Sequence, residues 1–516
     1  MMNRKTAGGY LTVYMTLTLA VLLSLCLTMI EGARRSAMRM QAEVITDTAM
    51  RSVLAEYNRE LMRQYNIFAV DSSYGTTDSG MGQTSVHFKD YMEKNYDPDV
   101  SMPWLDYRDY IGAYPESASV DAVSYLTDDN GAVFRACAIE AIKDDLGLTM
   151  AMEVIGWATG AEITAADGMD VQGELGSQSS AVSLAAAGER SRRESEREAL
   201  EREYEEACKA AEEAGGEAPP APELTSLPEQ YSSPVSGIAG SVSSGILGYV
   251  IDDAEKISRR QIDPGGIISG RMKAGDVSIG TLEYVSSDDG VIDEALDKAL
   301  FGEYLMRYMG RYGDTDESDA LLYQIEYLIA GRENDTENLN GVALRLLGIR
   351  AGMDLIYLET DAAKRSDAEL LAEGICAVCF IEEMAPVLTH AILLAWALAE
   401  GRYDTKVLLS GGKIPLMKDQ STWHSDMLSA LSGMDPGPFT GTDTGLSYTD
   451  YLRIFMFLTD TDKLTARAMD IIEADIRLSG GNENFRLDAC MEMIEFSAVI
   501  KSSFGNSVSI KRRLKY

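Results

Sequence analysis

The sequence predicts an α+β protein: a long N-terminal transmembrane helix, then a mixed head that is mostly helical in its C-terminal half and ends in a β-hairpin. Three observations carry this expectation. Residues 9–30 form an apolar run without a charged side chain, as long as the ~20 residues a helix needs to cross a bilayer. Residues 31–65 contain no Pro and, after Gly32, no Gly, while Met38, Ala42, Ile45, Ala49, Val53, Leu54, Tyr57 and Leu61 recur at three- and four-residue steps. That is one apolar face of a helix continuing out of the membrane. At the other end, residues 484–516 show stretches of alternation around Gly505 and Asn506, a pair suited to the positive φ of a tight hairpin turn.

Composition narrows the function classes. The 516 residues are 46% hydrophobic with a formal net charge of −36, which fits a globular protein with one anchor. Nucleic acid is excluded as a partner, because its binding rests on Lys and Arg neutralising phosphates. Of six cysteines, Cys26 lies inside the anchor. Cys137, Cys208, Cys376, Cys379 and Cys490 form an odd set without framework spacing and are expected to be mostly free thiols. The apolar run is not followed by a small-x-small cleavage site, since Glu31 stands where a small residue is required, so the run is read as a retained anchor.

In chain order, residues 1–8 are expected on the cytoplasmic side, 9–30 in the membrane and 31–65 as an amphipathic extension of the same helix. Residues 66–175 read as an α+β head. Within it lie a strand ending near Gly75, a helix over 86–96, a half-buried strand over 117–127 and a helix over 132–146. Residues 176–240 combine a charged solvated helix, 191–214, with a Pro/Ser/Gly-rich linker. Residues 241–516 read as a mainly helical α+β domain. Its expected helices cover 293–311, 336–358, 362–380, 386–400, 448–458 and 463–477, with a strand over 321–329 and 391–399 as a buried core helix.

The candidate chemical motifs are incomplete. Asp71, Ser72 and Ser73 lie at a strand end like a metal loop of hydroxyl and carboxylate oxygens, but Gly75 replaces a second hydroxyl. Cys376 and Cys379 have a metal or redox spacing without two further ligands. Asp443-Thr444-Gly445 resembles an aspartic-protease tripeptide, with no strand before it and no second copy. Ser410-Gly411-Gly412-Lys413 lacks the spacing of a phosphate loop. His87, His390 and His424 lie far apart. The reading is therefore a non-enzyme with no catalytic residues, no cofactor and no metal site.

Tyr10 to Arg34, with Glu31 and Gly32, followed by Gln41, Ala42, Asp47 and Ala49, resembles the N-terminal segment of TadE/TadG-like proteins. Those are membrane-anchored, pilin-like accessory proteins of tight-adherence pilus systems, and the resemblance covers about the first seventy residues. Ala7-Gly8-Gly9 could form a processing site of that class, although no Glu stands five residues on. The remainder, notably 328–331, 412–418 and 445–453, resembles an exported Gram-positive family of unknown function. Charges flanking the span nearly balance, with Arg4 and Lys5 before it and Arg34, Arg35 and Arg39 after it, so orientation rests on the resemblance. It implies a cytoplasmic N-terminus, an extracytoplasmic head, partners among pilin-like or pilus-assembly membrane proteins, and self-association through the N-terminal helix. The alternative is a tethered surface-binding or adhesion module without a pilus role.

Overall fold

The computed structural model describes residues 7–97, 111–143, 145–217, 219–223, 226–238, 246–251, 257–271, 294–434 and 441–516. Arg4, Lys5 and Asp293, all used in the sequence reading, lie outside them. The elements in order are α1 (Ala7–Leu54), α2 (Arg59–Tyr65), β1 (Val70–Asp71), α3 (Met81–Tyr96), β2 (Ala113–Tyr125), α4 (Asp128–Ile142), α5 (Asp145–Ala158), α6 (Ala161–Asp167) and α7 (Val171–Glu213). After a single turn at Leu247–Val250 come α8 (Glu294–Tyr308), α9 (Gln324–Ala330), α10 (Asp335–Thr360), α11 (Ala362–Cys379), α12 (Ala385–Leu409), β3 (Lys413–Ile414) and α13 (Met427–Ser432). The chain ends through β4 (Leu446–Ser447), α14 (Tyr448–Leu458), α15 (Thr461–Leu478), β5 (Cys490–Ser502) and β6 (Ser507–Lys515).

Two compact units interleave along the chain. One comprises Met1–Ile142, Asp263–Val291 and Thr465–Tyr516; the other, Lys143–Ile262 and Ile292–Leu464. The end-to-end division expected at 66–175, 176–240 and 241–516 differs from this, because the C-terminal hairpin belongs to the first unit.

In the first unit β5 is the central strand of an antiparallel sheet, with β2 on one side and β6 and the short β1 on the other. One face of the sheet, including Val120, Val123, Ile494, Phe496, Ala498 and Ile500, is buried against Met38, Ala42, Ile45, Ala49 and Val53 of α1 and Phe88 and Met92 of α3. The stripe expected on α1 is thus the core of this unit. The other face carries paired charges: Glu495 accepts from Lys511 and Arg513, each at 2.7 Å.

The N-terminal rod does not reach residue 65 unbroken. It stops at Leu54, and Asn58 caps a new helix by accepting the N–H groups of Glu60 and Leu61, both at 3.0 Å. The backbone N–H of Asn58 donates to Ala69 O at 3.0 Å and Tyr57 bridges to Val70, so the chain folds back on itself. An Asn that can cap a helix competes with helix continuation, and here the returning strand decides the contest. The strand expected from 65 is only Val70–Asp71. The regular part of α4 begins after Asp129, Asn130 and Gly131, all with positive φ. A Cβ on Gly131 would stand 2.7 Å from Thr465 Cγ2, so both its φ and its packing require glycine. This helix stops at Ile142, short of the expected 146.

The hairpin forms as expected, but its connection is four residues long, 503–506. Only Gly505 has positive φ, Ser502 N–H donates to Asn506 O at 2.9 Å, and Lys501 pairs with Ser507.

In the second unit α10, α11 and α12 form the expected bundle, with α12 extended to Leu409. By composition α12 could cross a membrane, yet 72% of its apolar window is buried, which makes it the core helix. A Cβ on Gly401 would meet Ala351 N at 2.8 Å, so its absence lets α12 and α10 approach closely. The stretch 321–329 is not a strand. Gln324 to Leu328 are buried on all sides in α9, ended by Gly331 with φ 68, and total burial removes the alternation used to separate strand from helix. The charged helix expected over 191–214 is the outer part of the 43-residue α7, whose inner part buries Val171, Leu175, Val182 and Ala186.

Candidate membrane and assembly surface

α1 has two halves of opposite environment. From Tyr10 to Ile30 its side chains are exposed almost throughout, including Leu11, Leu17, Leu22, Leu25 and Ile30. This half is long and apolar enough to cross a membrane. From Met38 onward the helix buries every third or fourth side chain in the sheet core.

Strand β6 runs beside the upper half of α1. Asn506 Nδ2 donates to Glu31 Oε1 at 2.8 Å, Arg512 Nη1 to Asp47 Oδ1 at 2.6 Å, and Tyr516 OH to Leu54 O. Twenty-three helical residues rise about 35 Å, and ten strand residues about 33 Å, so equal lengths of helix and strand match contact for contact. Val508 and Leu514 pack on the core from the same strand. Arg512, the polar exception on that strand face, lies over the acidic positions Glu43 and Asp47.

The tip of the hairpin therefore meets α1 where its apolar run ends. The Arg34 guanidinium lies 4.0 Å from the centre of the Phe504 ring, a cation–π contact. Phe504 is 51% exposed, and Tyr114, beside the same sheet end, is 49% exposed. The first buried side chain of α1 is Met38, two turns after Ile30.

The second unit holds a buried ionic cluster that sequence reasoning missed. Arg350 and Asp354 lie one turn apart on α10, Glu400 and Asp404 one turn apart on α12, and Lys418 follows β3; all five are buried. Arg350 pairs with Asp404 at 2.7 Å and donates to the carbonyls of Pro415 at 3.1 Å and Leu416 at 3.0 Å, and to Tyr451 OH at 3.1 Å. Lys418 Nζ donates to Asp404 Oδ1 at 2.7 Å and to Glu400 Oε1. Glu400 also accepts the backbone N–H of His424 at 3.1 Å and of Ser425 at 2.9 Å. Against its burial, the hydrogen bond to His424 and the Lys418 ammonium hold Glu400 well below the usual carboxylate range. Burial pushes the Asp354 carboxyl up instead, with the Lys418 ammonium opposing, and Asp354 lies 3.5 Å from Arg350 Nη2. Such a cluster is stable only when every charge is paired. The signal in the sequence was a pair of charges at i, i+4 on each of two helices, Arg350 with Asp354 and Glu400 with Asp404, next to apolar stretches of those helices.

The weighed motifs do not come together. Asp71 accepts Ser73 N–H at 2.9 Å and Ser73 Oγ at 2.7 Å in a turn closing β1. Ser410 to Lys413 follow the C-terminus of α12, where carbonyls rather than N–H groups point outward, the wrong end for phosphate. Asp443 and Thr444 are exposed in the turn entering β4. Cys376 and Cys379 are buried free thiols; burial pushes Cys376 up to about 11 and raises Cys379, which makes them poor nucleophiles. His87 contacts both oxygens of Glu56 at 3.0 Å, and His390 lies near Glu174 and Glu359. Among the described residues no group of three or more His, Cys, Asp or Glu side chains is arranged to hold a metal ion.

No curated protein and no solved structure matches the chain. Residues 225–502, more than half of its length, match a family described as a family of unknown function, DUF5702. The matched segment holds the ionic cluster as well as the central sheet strand β5. The chain belongs to this family of unknown function, DUF5702.

Proposed function

We propose that this protein is a single-pass, membrane-anchored, pilin-like accessory protein with a cytoplasmic N-terminus and an extracytoplasmic head. In this reading it takes part in assembling or anchoring a tight-adherence pilus, with a structural rather than a catalytic role. The observation that supports it best is α1 itself: one 48-residue helix, bare and apolar in its first half and joined to an antiparallel sheet in its second. A helix that spans a bilayer and continues without a linker into a head transmits position and force between membrane and head.

The test is isolation of the full chain from membranes in mild detergent, with identification of co-purifying proteins. Recovery of pilus-system membrane proteins or other pilin-like subunits supports the proposal. A preparation that contains none of them, from cells expressing the pilus system, overturns it in favour of a tethered surface-binding module.

A further inference from the structure

We infer that the end of the sheet formed by the β5–β6 hairpin tip is a second membrane contact, in which Phe504 enters the phospholipid headgroup layer beside α1. The inference rests on the reading of α1 as a membrane span and adds a lipid-binding surface to it.

The geometry fixes the height of the tip. The apolar run ends at Ile30, and the hairpin touches α1 at Glu31 and Arg34. Ile30 and Arg34 differ by about 6 Å of helical rise, which is within the headgroup region of a bilayer. Because β6 is matched to α1 along its length through Asn506, Arg512 and Tyr516, the tip cannot lift away without breaking the whole edge of the sheet.

The chemistry of the tip fits that depth. Phe504 presents half of its surface on the turn, and Tyr114, paired with Lys501 near the same end of the sheet, has a half-exposed ring as well. Aromatic side chains are enriched where an apolar body and a wet edge meet. The Arg34 guanidinium sits over the Phe504 ring, which places a cation suited to a lipid phosphate at the tip. Arg35, paired with Glu31 at 3.2 Å, adds a second cation at the same level. The sheet beside the tip is tied down as well: Ser503 N–H donates to Gly112 O at 2.8 Å and Ser502 Oγ to Ile111 O at 2.9 Å. A rigid aromatic tip held at the membrane border therefore gives the head one fixed tilt.

The full-length chain, reconstituted in phosphatidylcholine and phosphatidylglycerol vesicles carrying brominated acyl chains, tests this by quenching of an added tryptophan over the parent protein's background. Three variants are compared: Phe504→Trp at the tip, Leu23→Trp inside α1, and Thr77→Trp, exposed after β1 at the opposite end of the sheet. The expected result is strong quenching of Leu23→Trp by bromine deep in the chain, at least half of the added emission lost from Phe504→Trp with bromine near the headgroup, and none lost from Thr77→Trp. Quenching at Leu23→Trp with an unquenched Phe504→Trp overturns the tip contact and leaves the span intact. An unquenched Leu23→Trp overturns the span and the inference with it.

Discussion

Arg512, on the edge strand β6, donates to Asp47 of α1 at 2.6 Å. The two residues are the mid-point of a contact line that lays the last strand of the chain along its first helix. Ends of the sequence separated by more than four hundred residues thus form one structural unit, and the first prediction tests what holds it. The pair is largely exposed, so a double-mutant cycle of Arg512→Ala and Asp47→Ala should give a coupling of only about 0.2–1 kcal/mol. Removing residues 507–516 also uncovers Ile494 and Phe496 and strips the ladder from β5, and should lower the melting temperature in detergent by several degrees or more. An unchanged melting temperature after truncation would show that the strand contributes nothing.

Ala49 is fully buried between α1 and the sheet. A carboxylate there has no partner, so Ala49→Asp should destabilise the first unit by about 3 kcal/mol or more and, on the proposed reading of α1 as an anchor, leave the protein membrane-bound. The readout is protease sensitivity of the membrane-bound protein. Since the face is occupied by the chain's own head, loss of any partner should follow from unfolding; a folded, protease-resistant variant that has lost its partners would contradict this.

Lys418 is paired with Glu400 and Asp404 in the interior of the second unit. Lys418→Met leaves an uncompensated buried negative charge and should cost about 3–5 kcal/mol, measured by denaturant unfolding. The double variant Lys418→Met, Asp404→Leu removes one charge of each sign and should recover part of that loss. No recovery would mean that the cluster acts through shape rather than charge balance.

Glu492, on β5, is buried, and burial pushes its carboxyl up to about 7, with the Lys515 ammonium opposing. Between the unfolded value near 4.3 and 7, the folded protein holds a proton that the unfolded chain has released. This group's contribution to stability therefore falls as pH rises through that window and levels off above it. Glu492→Gln should remove the slope, a relative gain of up to about 3 kcal/mol at pH 8 over pH 4. Melting curves of variant and parent across this range check it, and parallel profiles would refute it.

How much of this was legible in the sequence depended on whether the cause was local. The apolar helix over 9–30 and the stripe from Met38 to Leu54 were readable because side-chain polarity and helical period act on neighbouring residues. The helix over 448–458, the burial of 391–399 and the C-terminal hairpin followed for the same reason. The tertiary structure alone decided the rest. It broke the rod at Asn58, because a strand returns there to bond Ala69 and Val70. It made 324–330 a helix, because burial on every side erases the pattern that distinguishes helix from strand. It also drew Arg350, Asp354, Glu400, Asp404 and Lys418 into one cluster. Pairing of β5 with β2 and of β6 with α1 joins residues hundreds of positions apart, and the energy of such contacts resides in surfaces that exist only once both partners have folded.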